Sequence, residues 1–191
     1  MLEKRGNMQR IIVYLLITIT TAMLLMRVVP VANGDSITPF AAVEFTHQAP
    51  GDWINSQPRM ISDFSGKVLL IDFWTFDCWN CYRSFPWLKT IEDQLSPAGL
   101  EVLGVHTPEF PHEKVRENII AKVREFGLEH PVMIDNDFSY WRAMRNKYWP
   151  AFYIIDKQGQ VRAIFYGETH EGDARAKKIE TTIKKLLTEP L

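Results

Sequence analysis

Apolar residues run without a break through Val68-Leu69-Leu70-Ile71 and resume at Phe73-Trp74 after a single acid, Asp72. Such a run predicts a strand covered on both faces at the centre of a sheet. The period then changes, because Tyr82, Phe85, Leu88, Ile91 and Leu95 recur at steps of three or four and mark one face of a helix that starts near Trp79. Residues 100–105 read as the next strand, and Val115, Ile119, Val123 and Phe126 line a second helix that Gly127 is suited to end. A short strand is expected at 131–134, followed by a small helix around Phe138, Trp141 and Met144. Residues 151–155 and 161–166 flank Asp156-Lys157-Gln158-Gly159, a loop that predicts a hairpin. Ala176, Ile179, Ile183, Leu186 and Leu187 mark the inner face of a last helix, with lysines at 177, 178, 184 and 185 on its solvated side. Residues 35–66 carry Pro50-Gly51 and Gln57-Pro58 and read as irregular approach segments or a short hairpin. Parallel strands joined by helices and closed by an antiparallel pair define an α/β domain with a mixed sheet.

The first residues carry a different pattern. Lys4, Arg5 and Arg10 precede an uncharged run of 16 residues, Ile11 to Met26, which ends at Arg27. That is long for a signal-peptide core and short for a bilayer span. Ala32 and Gly34 offer a small-x-small cleavage pair, whereas counting on through Val29 gives 19 residues, enough for an anchor over 11–29. The anchor is the favoured reading. Either way residues 1–34 form a signal peptide or membrane helix, the basic flank stays in the cytoplasm, and residues 35–191 are delivered outside it as one domain. A buried core helix is disfavoured, since no charged residue interrupts the run to make an exposed face.

Composition narrows the function classes. The 191 residues are 46% apolar, and 22 Lys and Arg stand against 23 Asp and Glu with no long single-sign run, which excludes a nucleic-acid surface or an acidic tail. Neither an internal repeat nor a low-complexity tract is present. The only cysteines are Cys78 and Cys81, separated by Trp79 and Asn80. A structural staple gains from closing a long loop, and two intervening residues remove little unfolded-state entropy. The pair suits redox chemistry instead.

At a helix N-terminus Cys78 lies beside free N–H groups and the positive end of the helix dipole, which stabilise a thiolate and make it the attacking sulfur. Cys81, one turn further in, becomes the resolving thiol and must lose a proton to some base. Haem attachment is excluded because Tyr82 stands where a His would follow the second Cys. His47, His106, His112, His130 and His170 are scattered without ligand spacing, so no metal site is assigned.

The stretch Asp72-Phe73-Trp74-Thr75-Phe76-Asp77-Cys78-Trp79-Asn80-Cys81, with Pro86 and the later Trp149-Pro150-Ala151, resembles the thioredoxin superfamily. Gly66-Lys67, Gly104-Val105-His106-Thr107-Pro108-Glu109-Phe110 and Tyr148-Trp149-Pro150-Ala151 look closest to exported TlpA-like proteins and the C-terminal redoxin domain of DipZ-type proteins, over residues 40–188. The resemblance implies a thioredoxin-like fold and an extracytoplasmic thiol-disulfide oxidoreductase acting on protein disulfides. Asp72 matches the buried acid that exchanges a proton with the resolving Cys, although pairing with a buried Lys such as Lys67 is the alternative. Glu109 matches an acid that several TlpA-like proteins place near the disulfide. Pro150 matches the family's cis-proline, which shapes the substrate groove, and Pro86 a helix-kinking proline. Trp79 and Trp149 are candidates for an aromatic rim that selects partners, or for core packing.

Departures carry information as well. Asp77 replaces the Trp that precedes the first Cys in thioredoxin, and an acid there opposes the thiolate. A milder thiolate favours a reductase over an oxidase. A reductase needs electrons from another membrane protein, a thiol relay, because one membrane segment cannot carry them across; no cofactor is implied. Two other classes remain. Thr75 fits the peroxiredoxin signature Pro-x-x-x-Thr-x-x-Cys, but Ile71 occupies the Pro position. A thiolate metal-binding or copper-delivery module would use the same two sulfurs, and its copper-delivery form is expected to carry one more residue between them.

Overall fold

The computed structural model describes residues 36–191, and the expected N-terminal signal or anchor lies outside the described residues. Among the described residues, seven strands, numbered in chain order with their ranges given below, form one sheet in the order β1-β7-β6-β3-β4-β5-β2. Its centre is β3 (Val68–Trp74), buried at every position, with β4 (Leu100–His106) parallel on one side and β6 (Ala151–Ile155) antiparallel on the other. β5 (Val132–Ile134) extends the parallel side, and β7 (Gln160–Tyr166) completes the hairpin with β6. Gly159, at φ 77°, takes the left-handed position of that turn, while Asp156 Oδ1 accepts the N–H groups of Gln158 and Gln160. This is the mixed α/β sheet that the periodicities predict.

The segment before residue 66 departs from expectation. β1 (Ser36–Ala41) pairs with β7 and β2 (Trp53–Ile54) pairs with β5, so the two strands cap opposite edges of the sheet and do not form a hairpin with each other. An edge strand is paired on one side only and tolerates a residue such as Pro39, so β1 lacks the alternation that reveals a half-buried strand.

Side-chain alternation along β3 divides the core. Val68, Leu70 and Trp74 join one apolar cluster with α1 (Trp79–Leu95), α2 (Arg116–Phe126) and α4 (Ala174–Thr188), which contribute Cys81, Phe85, Leu88, Ile119, Val123, Ile179 and Ile183. Leu69, Ile71 and Phe73 face the other way, into a cluster with Phe45, Trp53, Phe64 and Tyr140, the last from α3 (Ser139–Ala143). Period 2 puts Asp72 on the face of Leu70 and Trp74, the face that α1 covers. Among the described residues no helix is long and apolar enough to cross a membrane.

Candidate active site

The centre of the site is where β3 gives way to α1. Cys78 is the N-cap of α1, with extended backbone, and its Sγ accepts the N–H of Cys81 at 3.1 Å. Its sulfur therefore sits where unpaired helix N–H groups and the dipole favour negative charge. Cys78 is half-buried, Cys81 is fully buried, and the two are joined in a disulfide with Cα atoms 5.3 Å apart. Position alone thus distinguishes a sulfur that a partner can reach from one that only its neighbour can reach.

Asp72 is buried in β3 on the face that α1 covers, and its Oδ1 has no hydrogen-bond partner. Burial pushes its carboxyl from the ordinary 3.8 up to about 8, so near neutral pH it can give or take a proton. Lys67 is exposed, next to Gly99 at the far end of β3, and is not a buried partner for Asp72. Pro150 is buried at the start of β6, and the Trp149–Pro150 peptide is cis. The register pairs Ala151 with Phe73, which brings Pro150 to the end of β3 that leads into the Cys78 loop.

Two acids follow β4, and they differ in burial. Glu109 is exposed at the surface. The carboxylate enclosed under the Cys78 loop is that of Glu113, in the 3-10 turn Pro111–Lys114. It accepts the Thr75 hydroxyl, the Asp77 N–H at 3.0 Å, and the N–H groups of Glu109 and Phe110 at 2.6 Å each. Four donors on one carboxylate make a strong clasp, because ionised acceptors form the stronger hydrogen bonds. His106 completes this layer, its Nε2 3.3 Å from Thr75 Oγ1, and burial lowers its pKa to about 4, so at neutral pH its ring is neutral. Glu113 was missed in the sequence, although a Pro followed two residues later by an acid is a recognisable N-terminal turn.

Asp77 turns outward and meets His112, with Nε2 2.5 Å from Oδ2. The aromatic candidates separate. Trp79 is 66% exposed and rests on the Tyr82 ring, whereas Trp149 is half-buried and lies against Trp141, their ring centres 4.3 Å apart. Trp79 is thus a surface group beside Cys78, and Trp149 is packed. Pro86 lies inside α1. Among the described residues His47, Asp135 and Asp137 bring potential metal-ligand atoms within 4.8 Å of one another. Asp135 is already engaged by the N–H groups of Tyr140 and Trp141 and the hydroxyl of Thr107, which accounts for it as a helix cap.

Comparison with known proteins agrees with this geometry. The Redoxin family model matches residues 44–183. Protein DipZ of Mycobacterium tuberculosis is 40% identical over 144 residues, 72% of this chain but only 19% of that protein. The thiol-disulfide oxidoreductase YkuV of Bacillus subtilis is 27% identical over 137 residues, covering 72% of this chain and 88% of YkuV. The crystal structure of a thioredoxin-like superfamily protein aligns with a TM-score of 0.69 at 25% identity, covering 78% of this chain and 97% of that one. The chain belongs to the Redoxin family, and it spans about a fifth of the length of the DipZ proteins it matches.

Proposed function

We propose that residues 35–191 work outside the cytoplasm, held to the inner membrane by residues 11–29, and exchange disulfides with protein partners, passing electrons from Cys78 and Cys81 to them. The observation that carries this reading is the unequal placement of the two sulfurs: Cys78 half-buried at the helix cap and Cys81 wholly enclosed on the sheet face of Asp72. Attack by the Cys78 thiolate on a partner disulfide forms a mixed disulfide and releases the partner's other sulfur. Cys81 then displaces the partner from Cys78, giving its proton to Asp72. Trp79, exposed beside Cys78, is the first apolar surface a docking segment meets, and Pro150 shapes the groove across from it. Re-reduction draws electrons from a membrane thiol relay.

The reductive direction is supported by Asp77, whose negative charge adjoins Cys78 and opposes the thiolate. Equilibration of the protein with glutathione buffers, followed by thiol trapping, tests it. A midpoint near that of thioredoxin, about −270 mV, is the expected result, and one near the DsbA value of about −120 mV would reverse the assigned direction. Delivery is tested separately, by an alkaline phosphatase fused after residue 191, which is active only outside the cytoplasm.

A further inference from the structure

The exchange chemistry uses Asp72 but leaves unexplained how a proton reaches it. A second polar group is buried on the same side of the sheet. His130, just before β5, has a side chain only 1% exposed. Its Nδ1 lies 3.0 Å from Glu92 Oε2 on α1, and its Nε2 has no protein partner. The Glu92 side chain is 23% exposed, so the pair runs from the interior to solvent. An Nδ1–H directed at that carboxylate leaves the Nε2 lone pair facing inward.

What it faces is defined by Gly104. A Cβ at that glycine would stand 3.4 Å from His130 Nε2 and 2.9 Å from Trp74 Nε1, so both ring nitrogens converge on one side-chain-free position. The Trp74 N–H is also buried without a partner. Gly104 is the register partner of Asp72, whose Oδ1 is the third unpartnered atom. Buried polar atoms are nearly always paired, and a buried water is held by two to four such groups. The titratable groups meeting here are Glu92 from α1, Asp72 from β3 and, from β4 beyond the backbone of Gly104, His106, whose ring centre lies 4.9 Å from that of Trp74 and whose Nδ1 is also unpartnered.

Resting on the exchange reading above, we infer that His130 and Glu92 are positioning residues that carry the Asp72 proton to and from solvent past the backbone of Gly104. In the resolving step the Cys81 proton passes to the Asp72 carboxylate, and the Cys81 sulfur bonds to that of Cys78. The bond from Cys78 to the partner breaks, and its electron pair leaves on the partner's thiolate, which takes a proton from solvent. The proton on Asp72 then crosses one internal water, held by the Trp74 N–H, to His130 Nε2 as the Nδ1 proton leaves through Glu92. Re-reduction of the disulfide returns one proton along the same path and restores the tautomer.

Glu92→Gln separates this role from a structural one. The amide keeps an oxygen for the His130 N–H and nearly the same volume, but cannot relay a proton. Reduced full-length protein is mixed with dithiobis(nitrobenzoate); the first thionitrobenzoate released reports attack by Cys78, and the second reports resolution by Cys81. In Glu92→Gln and His130→Gln the first release should be unchanged and the second slowed about tenfold at neutral pH, part of the 10²–10⁴ that positioned proton transfer contributes. Glu92→Asp should recover most of the rate and the wild-type pH profile. A second release in folded Glu92→Gln that matches wild type in rate and pH profile overturns the relay. Absence of the first release in wild type would overturn the exchange reading itself, and the relay with it.

Discussion

His112 Nε2 lies 2.5 Å from Asp77 Oδ2, which sets an imidazole against the acid that immediately precedes Cys78. The pair makes the charge beside the attacking sulfur adjustable. Asp77→Asn removes a negative charge and should lower the pH at which Cys78 ionises; His112→Gln exposes that charge and should raise it. Both side chains are about half exposed, at 55% and 43%, so each shift should be a few tenths of a pH unit and shrink by roughly half in 1 M salt. Thiolate absorbance of the reduced protein against pH checks the sign and the salt effect.

Asp72 links site chemistry to stability. Its carboxyl titrates at about 8 in the fold against an ordinary 3.8. Between those values the unfolded chain has lost the proton that the folded chain keeps, so folding stability falls as pH rises and levels off above about pH 8. Asp72→Asn should flatten that decline. Four units correspond to roughly 5 kcal/mol at most. Urea unfolding midpoints of the oxidised protein from pH 5 to pH 9 measure the slope in both proteins.

Glu113 and Glu109 should behave oppositely on substitution. Glu113→Gln puts an amide N–H against N–H donors and leaves part of the clasp on Thr75, Asp77, Glu109 and Phe110 unsatisfied, at a cost of about 2–4 kcal/mol. Glu109→Gln, at the surface, should stay within about 0.5 kcal/mol of wild type. Chemical denaturation gives both numbers. Hydrogen exchange at the Asp77 and Phe110 amides should accelerate only in Glu113→Gln.

Gly104→Ala tests the close approach of Trp74 and His130 without touching a sulfur. The added carbon would meet the buried Trp74 ring at 2.9 Å and Val132 Cγ2 at 3.3 Å. Overpacking of this kind costs about 1–3 kcal/mol. A shift of Trp fluorescence together with a lowered unfolding midpoint is the expected outcome.

The central layer was legible because its signals are local and strong. The unbroken run of β3, the helical period of α1 and the turn residues of the β6–β7 hairpin each determine an element without reference to the rest of the chain. The position of Cys78 followed from the helical period that begins at Trp79, and the burial of Asp72 from its place in the apolar run, whereas the role of Asp72 rested on the family resemblance. β1 and β2 were illegible because edge strands derive their pairing from partners more than 70 residues away. The choice between Glu109 and Glu113 depended on how a turn of four residues closes, which residue types alone do not state. Trp149 looked equivalent to Trp79 in sequence and is distinguished only by its contact with Trp141.

The most direct test of the account asks which sulfur takes the partner. Reduced Cys81→Ala is mixed with a disulfide-bonded peptide, and the products are separated and sequenced by mass spectrometry. A stable one-to-one adduct at Cys78, absent from the Cys78→Ala protein, is the predicted result. An adduct on Cys81 in the Cys78→Ala protein with none on Cys78 in Cys81→Ala, or no adduct on either sulfur in folded protein, would contradict it.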